Sequence, residues 1–345
     1  MNISIITVYN NVNSGSFLQA LALKKILEIA GHTVTFLKRK SNNGIKYCLV
    51  TSLKKLLKLR FLEVSHLWKA YFSFKVARTN FPVIPVNKVG TIDCFAIGSD
   101  TLWNFGVERF EKEKKRYLGL LFPEKRSVSY ATSIANTKYE VLLNDNVIVN
   151  GLNKLGAISV RDAYTKEIVD KITGKESTLV LDPTLLLSRE EFAKLEAKCS
   201  DSEYILIYMF ERLNKEMEKK ITELRQKTGK KIVSFGGHRS FADINISNDP
   251  FKFLYYFNHA DMIITNTFHG TIFSIINRKP FADFGGHKKK VTELLDMLDL
   301  SSQLCETPDD IEKILNQKID YDKVEEKLSV MREQSKDYLF NALKG

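Results

Sequence analysis

The first part of the chain alternates between short apolar runs and longer amphipathic segments. Ile3–Tyr9 is rich in β-branched residues and predicts a strand, while Ser16–Ala30 places its leucines and isoleucines on one helical face. Gly31 ends this helix, and Thr33–Leu37 predicts the next strand. A β-α-β order of this kind predicts a parallel sheet covered by helices.

Further apolar runs predict more strands, and polar-faced segments between them predict helices. The predicted strands are Cys94–Ile97, Val128–Ala131, Ile158–Val160, Leu179–Leu181, Tyr204–Met209, Lys231–Phe235, Met262–Thr265 and Phe281–Phe284. The predicted helices of the same region are Thr165–Lys171, Asn214–Lys227, Thr271–Asn277, Val291–Leu298, Pro308–Asn316 and Tyr321–Leu343. Both halves of the chain therefore share one layout.

This layout predicts the α/β class, with two Rossmann-like doubly wound domains that face each other across a cleft. We place the N-terminal domain at residues 1–185, the C-terminal domain at residues 186–320 and a C-terminal helix at residues 321–345. The helix is long enough to pack back across both halves. In such folds, ligands bind in the crevice at the carboxyl ends of the strands.

The composition excludes several classes of protein. The 345 residues are 44% hydrophobic and 27% charged, which is ordinary for a globular chain and excludes a disordered or collagen-like one. The four cysteines lie far apart without a Cys-x-x-Cys pair, so we expect no disulfide, no zinc site and no other metal. Because neither a membrane span nor a signal peptide is recognisable, we expect a cytoplasmic protein.

The positive charge is concentrated in one segment. The net charge is +11, and residues 38–88 contain twelve basic residues and one acidic residue, Glu63. Aromatic residues recur through this basic segment, which suggests a surface for anionic lipid headgroups or a phosphorylated carrier. A pair of solvated basic helices with inward-packed aromatic residues explains the pattern equally well. Nucleic acid is not expected as a partner, since no motif for it is present.

The sharpest candidate for chemistry is Thr265–Thr271, which follows a predicted strand and opens a predicted helix. Thr267 belongs to a residue type that caps helices, and the free N–H groups of a first helical turn can hold an anion. His269 can donate or accept a proton near neutral pH, and Gly270 allows a ligand to approach the backbone. A capped turn with a structural histidine is the alternative.

Two more polar segments follow predicted strands in the N-terminal half. Residues 13–20 form a turn where such folds hold phosphate, but they match neither a dinucleotide fingerprint nor a Walker loop. In residues 98–104, Asp100 is a candidate base or hydroxyl-orienting group, and Trp103 could stack on a sugar face. Tight capped turns with a packed tryptophan explain these segments as well.

Several cations follow strands and could bind anionic groups. Arg161 could clamp a carboxylate or phosphate through two nitrogen atoms, or it could equally form an ion pair with Asp162 or another neighbour. Arg239 and Lys290 are further candidates in the C-terminal half, although a run of three lysines is usually a solvated face. Asp182, in the sequence Asp-Pro-Thr, is interpreted as part of a structural turn at the domain junction.

Taken in order, these segments resemble the polysaccharide pyruvyl transferase family. The resemblance rests on N-S-G-S-F-L-Q-A at 13–20, G-S-D-T-L-W-N at 98–104, S-V-R-D at 159–162, V-L-D-P-T-L-L-L at 180–187 and the stretch 261–274 around F-H-G-T. Lys290 fits the place of a basic residue that usually precedes the family's next helix. Ser14 and Thr101 depart from the family's aromatic residue and glutamine, and both positions concern the acceptor.

The resemblance implies a fold similar to that of the B-type glycosyltransferases. It also implies transfer of the enolpyruvyl group of phosphoenolpyruvate to a hexose of a surface polysaccharide or its precursor, which forms a pyruvate ketal. Phosphoenolpyruvate would be a co-substrate, and no cofactor is expected. His269 would act as acid and base, and Asp100 would be the second catalytic residue.

The resemblance places the acceptor on the N-terminal domain and the donor on the C-terminal domain. The donor-binding candidates are Arg161, Thr267, Phe268, Gly270, Thr271, Lys290 and Arg239. The acceptor-binding candidates are Gly15, Ser16, Gln19, Ser99, Trp103 and Asn104. The acceptor is expected to be a hexose-containing glycan, and whether it is lipid-linked, nucleotide-linked or polymeric stays open.

Two other functions fit the sequence. A sugar-nucleotide-dependent glycosyltransferase would need a ribose-binding carboxylate in the C-terminal half, where no clear candidate is found. A non-catalytic scaffold for glycan assembly would use the basic segment 38–88 as its working surface, and His269 would then have no function. Peripheral contact of the basic segment with the anionic inner face of a membrane is compatible with the enzyme and with the scaffold.

Overall fold

The computed structural model describes residues 1–39, 44–58, 60–211 and 213–344, which form two parallel sheets. The first sheet contains β1 (Asn2–Ile6), β2 (Thr33–Leu37), β3 (Val83–Ile84), β4 (Cys94–Asp100), β5 (Arg126–Thr132), β6 (Ser159–Val160) and β7 (Thr178–Leu179). The second contains β8 (Tyr204–Tyr208), β9 (Lys231–Phe235), β10 (Ile244–Ile246), β11 (Met262–Thr265) and β12 (Phe281–Asp283). The predicted α/β class with two Rossmann-like units is confirmed.

Helices connect the strands and cover the sheets. They are α1 (Ser14–Ile29), α2 (Ile45–Leu56), α3 (Phe61–Ala77), α4 (Glu108–Glu111), α5 (Lys114–Tyr117), α6 (Tyr139–Leu143), α7 (Asn146–Lys154), α8 (Ala163–Thr173), α9 (Arg189–Ala193), α10 (Lys215–Thr228), α11 (Pro250–His259), α12 (Phe268–Ile276), α13 (Lys289–Met297), α14 (Ile311–Leu315) and α15 (Tyr321–Lys344). Asn13 caps α1 by accepting a hydrogen bond from Ser16 N, so this helix begins two residues earlier than predicted.

The strand order explains where a cleft forms. The first sheet runs β3-β2-β1-β4-β5-β6-β7, and the second runs β10-β9-β8-β11-β12. The order reverses between β1 and β4 in the first sheet and between β8 and β11 in the second, which opens a crevice at the carboxyl ends of these strands. The predicted domain boundary at residue 185 lies between the two sheets.

The C-terminal helix α15 returns to the first domain, as predicted. The N–H of Leu181 donates a hydrogen bond to Ser335 Oγ on α15 at 3.0 Å. Near the end of the helix, Arg126 donates to the carbonyl oxygen of Ala342 at 2.9 Å. These contacts attach the C-terminal helix to the first domain, at the residues that follow β7 and at the start of β5.

The basic segment forms a hairpin of α2 and α3. Trp68 Nε1 donates to Ser52 Oγ at 2.9 Å between these helices. Phe74 packs into the core, whereas Phe61 and Phe72 are exposed, so the inward packing of aromatic residues holds for only part of the segment. Residues 40–43 and 59 of the segment lie outside the described residues. In the described ranges, no helix is long and apolar enough to cross a membrane.

Candidate active site

The crevices of the two sheets meet in one cleft, where a cavity of about 190 Å³ lies. Its walls come from the start of α1, the end of β4, β8 with the residues after it, the first turn of α12 and the start of α13. The lining residues are Asn13, Ser16, Asp100, Tyr208, Phe210, Thr267, Phe268, His269, Lys288 and Lys290. Residues predicted for donor binding, acceptor binding and catalysis thus meet in one place.

His269 lies in the first turn of α12, where the Thr267 side chain caps the helix by accepting from Gly270 N at 2.9 Å. The imidazole rests against the backbone of Gly15 in the first turn of α1, where a Cβ atom would lie only 2.2 Å from Nδ1. Burial lowers the pKa of His269 below its usual value, against the opposing effect of nearby carboxylates. The imidazole is therefore mostly neutral at pH 7.

Asp182 is fully buried and connects this histidine to an arginine. Its Oδ2 lies 4.0 Å from His269 Nε2 and accepts a hydrogen bond from Arg161 Nη1 at 3.0 Å. Its Oδ1 accepts from the N–H and the hydroxyl of Thr184, which forms the predicted turn. Burial raises the pKa of Asp182, but His269 and Arg161 outweigh this and lower it, so the group is ionised. Asp182 therefore has an electrostatic role in addition to its structural role in the turn.

Arg161 follows β6, and its side chain is 1% exposed. Besides Asp182, it faces Asp100, with 3.6 Å between Nη2 and Oδ1. Its Nε and Nη2 have no hydrogen-bond partner among the described residues. Asp162 does not pair with Arg161 and instead caps α8 by accepting from Thr165 N. A buried guanidinium with free donors is well suited to bind an oxyanion.

Phe268 contacts two cations, of which Lys290 lines the cavity described above, whereas Arg161 lines a neighbouring cavity of about 460 Å³ that Phe268 and Lys290 also border. The Cζ atom of Arg161 lies 4.8 Å from the centre of its ring, and Nζ of Lys290 lies 5.3 Å from it. Cation–π attraction holds both groups without occupying their N–H donors. Burial lowers the pKa of Lys290 to about 8, and repulsion by Arg161 adds to the shift. Lys290 is thus charged at neutral pH and would be stabilised by a bound anion.

Asp100 ends β4 and accepts a hydrogen bond from Ser16 Oγ at 2.7 Å. Burial raises the pKa of Asp100, but Arg161, His269 and Lys290 outweigh this and lower it to about 2. A carboxylate with so low a pKa is a weak base, although it remains a good hydrogen-bond acceptor. Of its two predicted roles, the geometry favours orienting a hydroxyl over abstracting a proton.

Three predicted acceptor contacts lie beneath the surface. Gln19 donates to Thr7 Oγ1 at 3.1 Å and accepts from Ser99 N at 3.3 Å. Trp103 is 1% exposed and donates its indole N–H to the carbonyl oxygen of Tyr117 at 2.8 Å. The ring of Trp103 presents no open face to a sugar, so its burial does not support the predicted stacking. Gln19 and Ser99 instead connect α1 to the ends of β1 and β4.

Gly15 and Ser16 are the acceptor-side candidates that meet the cleft directly. Gly15 contacts the imidazole of His269, and Ser16 holds Asp100. Asn104 is half-buried and accepts a hydrogen bond from Thr137 Oγ1 at 2.9 Å, so its side chain stabilises a loop. Of the six residues predicted to bind the acceptor, Ser16 therefore lines the cavity, while Gly15 is buried against the histidine.

Some donor-side candidates support the site from behind. A Cβ atom at Gly270 would lie 2.1 Å from Thr265 Oγ1, so close packing inside the turn already requires glycine there. The buried hydroxyl of Thr271 donates to the carboxylate of Asp283. Arg239 donates to two backbone carbonyls after β8, at 2.8 and 3.1 Å. Gly270 and Thr271 position α12, and Arg239 positions the loop after β8. The two backbone hydrogen bonds are enough to account for the orientation of the Arg239 side chain.

Sequence reasoning missed the second role of Asp182 and the apolar wall formed by Tyr208 and Phe210. Asp182 had a detectable signal, because it directly follows the predicted strand Leu179–Leu181, as the other site residues follow theirs. Tyr208 and Phe210 had none, since an aromatic residue ending a strand usually belongs to the core. Their ring centres lie 5.3 Å apart, and Phe210 is exposed.

The charged groups of the site form a nearly balanced set. The carboxylates of Asp100 and Asp182 face Arg161 and Lys290, and the neutral imidazole of His269 stands between them. In the described part of the chain, no group of three or more His, Cys, Asp or Glu side chains could hold a metal ion. The arrangement can bind an anion on its cations and move a proton at His269.

Comparison with known proteins agrees with the resemblance seen in the motifs. The profile of the family described as polysaccharide pyruvyl transferase matches residues 13–283. This range includes the first turn of α1, Arg161, Asp182 and His269. No individual protein with a curated description matches the chain.

Solved structures share the two-domain fold at low sequence identity. A UDP-N-acetylglucosamine 2-epimerase from Listeria monocytogenes, described as putative, has a TM-score of 0.58 at 11% identity and covers 94% of this chain and 91% of its own. The UDP-GlcNAc 2-epimerase of Methanocaldococcus jannaschii has a TM-score of 0.53 at 11% identity, covering 96% and 93%. An alpha-glucosyltransferase in complex with UDP has a TM-score of 0.51 at 11% identity, covering 99% and 95%. These likenesses show the fold alone.

Proposed function

The chain belongs to the polysaccharide pyruvyl transferase family, and we propose that it transfers the enolpyruvyl group of phosphoenolpyruvate to a hexose of a surface polysaccharide or its precursor. The product is a cyclic pyruvate ketal. One observation carries the proposal. Arg161 is buried with two free nitrogen donors, and it shares the ring of Phe268 with Lys290 beside the imidazole of His269.

The donor carries a carboxylate and a phosphate, and the cleft has separate groups for each. The free Nε and Nη2 of Arg161 form a planar pair that suits a carboxylate. Lys290 and the first turn of α12, which leaves the N–H groups of Phe268 and His269 without partners inside the helix, suit the phosphate. This division keeps C2 and C3 of the donor near the imidazole.

The reaction balances without a further co-reactant. A proton is added to C3 of the enol, which becomes the methyl group, and a sugar hydroxyl forms a bond to C2. The C2–O bond to phosphate then breaks, and a second hydroxyl of the same sugar attacks C2. One of the two hydroxyl protons replaces the proton that was delivered to C3, and the other protonates the departing phosphate. The phosphate leaves as the monohydrogen anion, and we propose no cofactor.

We assign the movement of these protons to His269. Its pKa is lowered mainly by burial. A bound dianionic phosphate would raise that pKa, so the imidazole would take up a proton as the donor binds. Protonated His269 can then deliver the proton to C3 and afterwards accept one from the attacking hydroxyl. Ionised Asp182, 4.0 Å away, stabilises the charged imidazole.

The acceptor hydroxyl is oriented from the other domain. Asp100 and Ser16 are hydrogen-bonded to each other at 2.7 Å and line the same cavity as His269. The exposed ring of Phe210 lies on this cavity and offers an apolar surface to a sugar face. The acceptor is a hexose-containing glycan on a lipid or nucleotide carrier, and a lipid carrier would bring the protein to the inner face of a membrane.

Donor binding can be tested without knowing the acceptor. The thermal midpoint is measured alone and with phosphoenolpyruvate, phosphate or uridine diphosphate, because a ligand that binds only the folded state raises it. We expect the largest rise with phosphoenolpyruvate. Lys290→Gln and Arg161→Lys should reduce this rise. Arg225→Ala, which removes an arginine paired with Asp243 on the surface, should leave it unchanged.

The same titration separates the alternative functions. A rise with uridine diphosphate alone would favour a sugar-nucleotide-dependent glycosyltransferase on this fold. If no ligand raises the midpoint and His269→Ala also leaves glycan assembly intact, the scaffold is favoured. A rise with phosphoenolpyruvate that Arg225→Ala and Lys290→Gln lower equally would contradict the donor site described here.

A further inference from the structure

The α2 helix of the basic hairpin carries an apolar stripe on its outer face. Ile45, Leu49, Leu53 and Leu56 recur at helical spacing and expose between 40% and 61% of their surface. The buried residues of α2 are Cys48 and Ser52, which lie along one border of the stripe at helical spacing. The helix therefore packs on the protein along that border and leaves the four apolar side chains of the stripe in solvent. Surfaces of this kind commonly bind a partner or a membrane.

The neighbouring helix α3 also exposes large apolar side chains, and two of them, Phe72 and Val76, border a groove shared with residues 245–252. Phe61, Leu62, Phe72 and Val76 are all exposed, with Val76 at 70%. We call these four residues and the four of the α2 stripe the apolar face of the hairpin. No other stretch of comparable length in the described chain exposes as many large apolar side chains. The face is thus concentrated in the segment that also holds the excess positive charge.

Lysines surround the apolar face. Residues 44–78 contain eight basic residues and one acidic residue, Glu63. Glu63 is paired with Lys55 and Arg60. The five lysines that are exposed and have no ion-pair partner among the described residues are Lys46, Lys54, Lys58, Lys69 and Lys75. Exposed leucines beside unpaired lysines are the pattern of a helix that lies in a membrane interface.

We propose that the apolar face of the hairpin inserts into the headgroup region of an anionic bilayer, with the surrounding lysines on lipid phosphates. Charge decides between this occupant and a second copy of the chain. Two copies joined through this face would bring two strongly positive surfaces together, which is unfavourable. An anionic bilayer instead offers both hydrocarbon for the leucines and opposite charge for the lysines.

The hairpin also lies close to the cleft. His66 on α3 contacts Ser247, with 3.0 Å between Nδ1 and Oγ. The next residue, Asn248, accepts a hydrogen bond from Ser14 at 2.6 Å, and Ser14 is adjacent to Gly15 at the imidazole of His269. A membrane-bound hairpin would therefore hold the cleft near the bilayer surface. This position would suit a lipid-linked acceptor, and only that part of the inference rests on the proposed function.

Binding is tested by sedimenting the purified protein with vesicles of phosphatidylcholine alone or with about a third phosphatidylglycerol, at low salt. The wild-type chain should bind the anionic vesicles at least about tenfold more tightly than the neutral ones. The double variants Leu49→Ser/Leu53→Ser and Lys54→Gln/Lys58→Gln should each weaken this binding about tenfold. Ile29→Ser and Val330→Ser, which remove exposed apolar residues elsewhere, should not change it.

The outcomes of this experiment distinguish membrane binding from self-association. Equal binding to neutral and anionic vesicles would overturn the proposal, and so would an equal loss in the control variants. Concentration-dependent self-association that Leu49→Ser/Leu53→Ser abolishes, without vesicle binding, would assign the face to a second copy instead. The thermal midpoint of the same variants, measured without ligand, shows whether they are folded. Since vesicle binding needs neither donor nor turnover, failure of the pyruvyl transfer proposal would leave this result unaffected.

Discussion

The backbone of Gly15 in the first turn of α1 lies directly against the imidazole of His269 in the first turn of α12. A Cβ atom at position 15 would lie 2.2 Å from Nδ1 and 2.4 Å from Cγ of the histidine. The N-termini of two helices from different domains therefore meet at the group proposed to move protons. Glycine is required there by close approach between the domains.

Gly15→Ala should displace the imidazole while leaving the fold intact. Because a misplaced proton donor loses much of its effect, we expect kcat to fall about 100-fold. The rise in thermal midpoint with phosphoenolpyruvate should persist, since the cations of the donor site are untouched. Gly90→Ala, at a position where a Cβ atom meets nothing within 4 Å, is the matched control and should have wild-type kcat. Wild-type kcat in Gly15→Ala would contradict the placement of His269.

Asp182→Asn should destabilise the protein and inactivate it. The substitution leaves Arg161 without its closest counter-charge in a buried site, which costs about 3 kcal/mol. Folding lowers the pKa of Asp182, so the ionised carboxylate stabilises the folded state at pH values above the unfolded-state pKa. This stabilisation is lost as the pH falls from the unfolded-state pKa through the lower folded-state pKa.

The free energy of unfolding of wild type and Asp182→Asn, measured by urea denaturation at several pH values, checks this. The difference between them should be largest near neutral pH and shrink below about pH 4. Asp322→Asn, which breaks an exposed pair with Arg278, should cost less than about 1 kcal/mol. If the difference in unfolding free energy between wild type and Asp182→Asn stays constant down to low pH, the charge of Asp182 does not stabilise the protein.

Lys290 should make donor affinity depend on pH. Its folded-state pKa of about 8 means that the ammonium group loses its charge above that pH, so affinity for phosphoenolpyruvate should fall there. The unfolded state binds more protons between about pH 8 and 10.5, so the contribution of this group to stability rises over the same range. Affinity and stability thus change in opposite directions, which distinguishes weaker binding from unfolding.

Lys290→Arg provides the comparison, because a guanidinium keeps its charge at these pH values. Titration calorimetry with phosphoenolpyruvate from pH 7 to about pH 9.5 should show a decline in the wild type that is absent in the variant. A parallel decline in both proteins would assign the pH dependence to another group.

Asp283 should make the protein less stable as the pH rises from about 4 to 6. Burial raises its pKa to about 6, against hydrogen bonds from Thr271 and Gly285 N. The folded state therefore binds more protons than the unfolded state in this window, and stability falls with rising pH, by up to about 3 kcal/mol. Asp283→Asn should remove this slope from the unfolding free energy. A slope that persists in the variant would place its origin elsewhere.

The sequence predicts the fold and the centre of the site because both depend on local order. Apolar runs separated by amphipathic helices define parallel sheets, and the carboxyl ends of their strands identify His269, Arg161 and Asp100. These side chains meet in the cleft because the topology brings the strand ends together. Lys290 joins them from the start of α13, where the run of three lysines alone did not distinguish a binding cation from a solvated surface.

What the sequence does not predict depends on which way a side chain turns at the end of a strand or the start of a helix. Gln19, Ser99 and Trp103 stand in the same polar segments as Ser16 and Asp100, but they turn inward and are buried. The second role of Asp182 likewise needs the distance to His269, which lies 87 positions away in the chain. A motif marks the region of a site, whereas burial and hydrogen bonding decide each residue's part.

The most direct test of the account is transfer of labelled carbon from phosphoenolpyruvate to a glycan. Purified protein is incubated with carbon-13-labelled phosphoenolpyruvate and the surface-glycan precursors of the organism that encodes it. We predict a glycan whose mass increases by pyruvate less one water, with release of one phosphate for each ketal formed and no product with His269→Ala. Sugar transfer from a uridine diphosphate sugar without incorporation of the label would contradict the account.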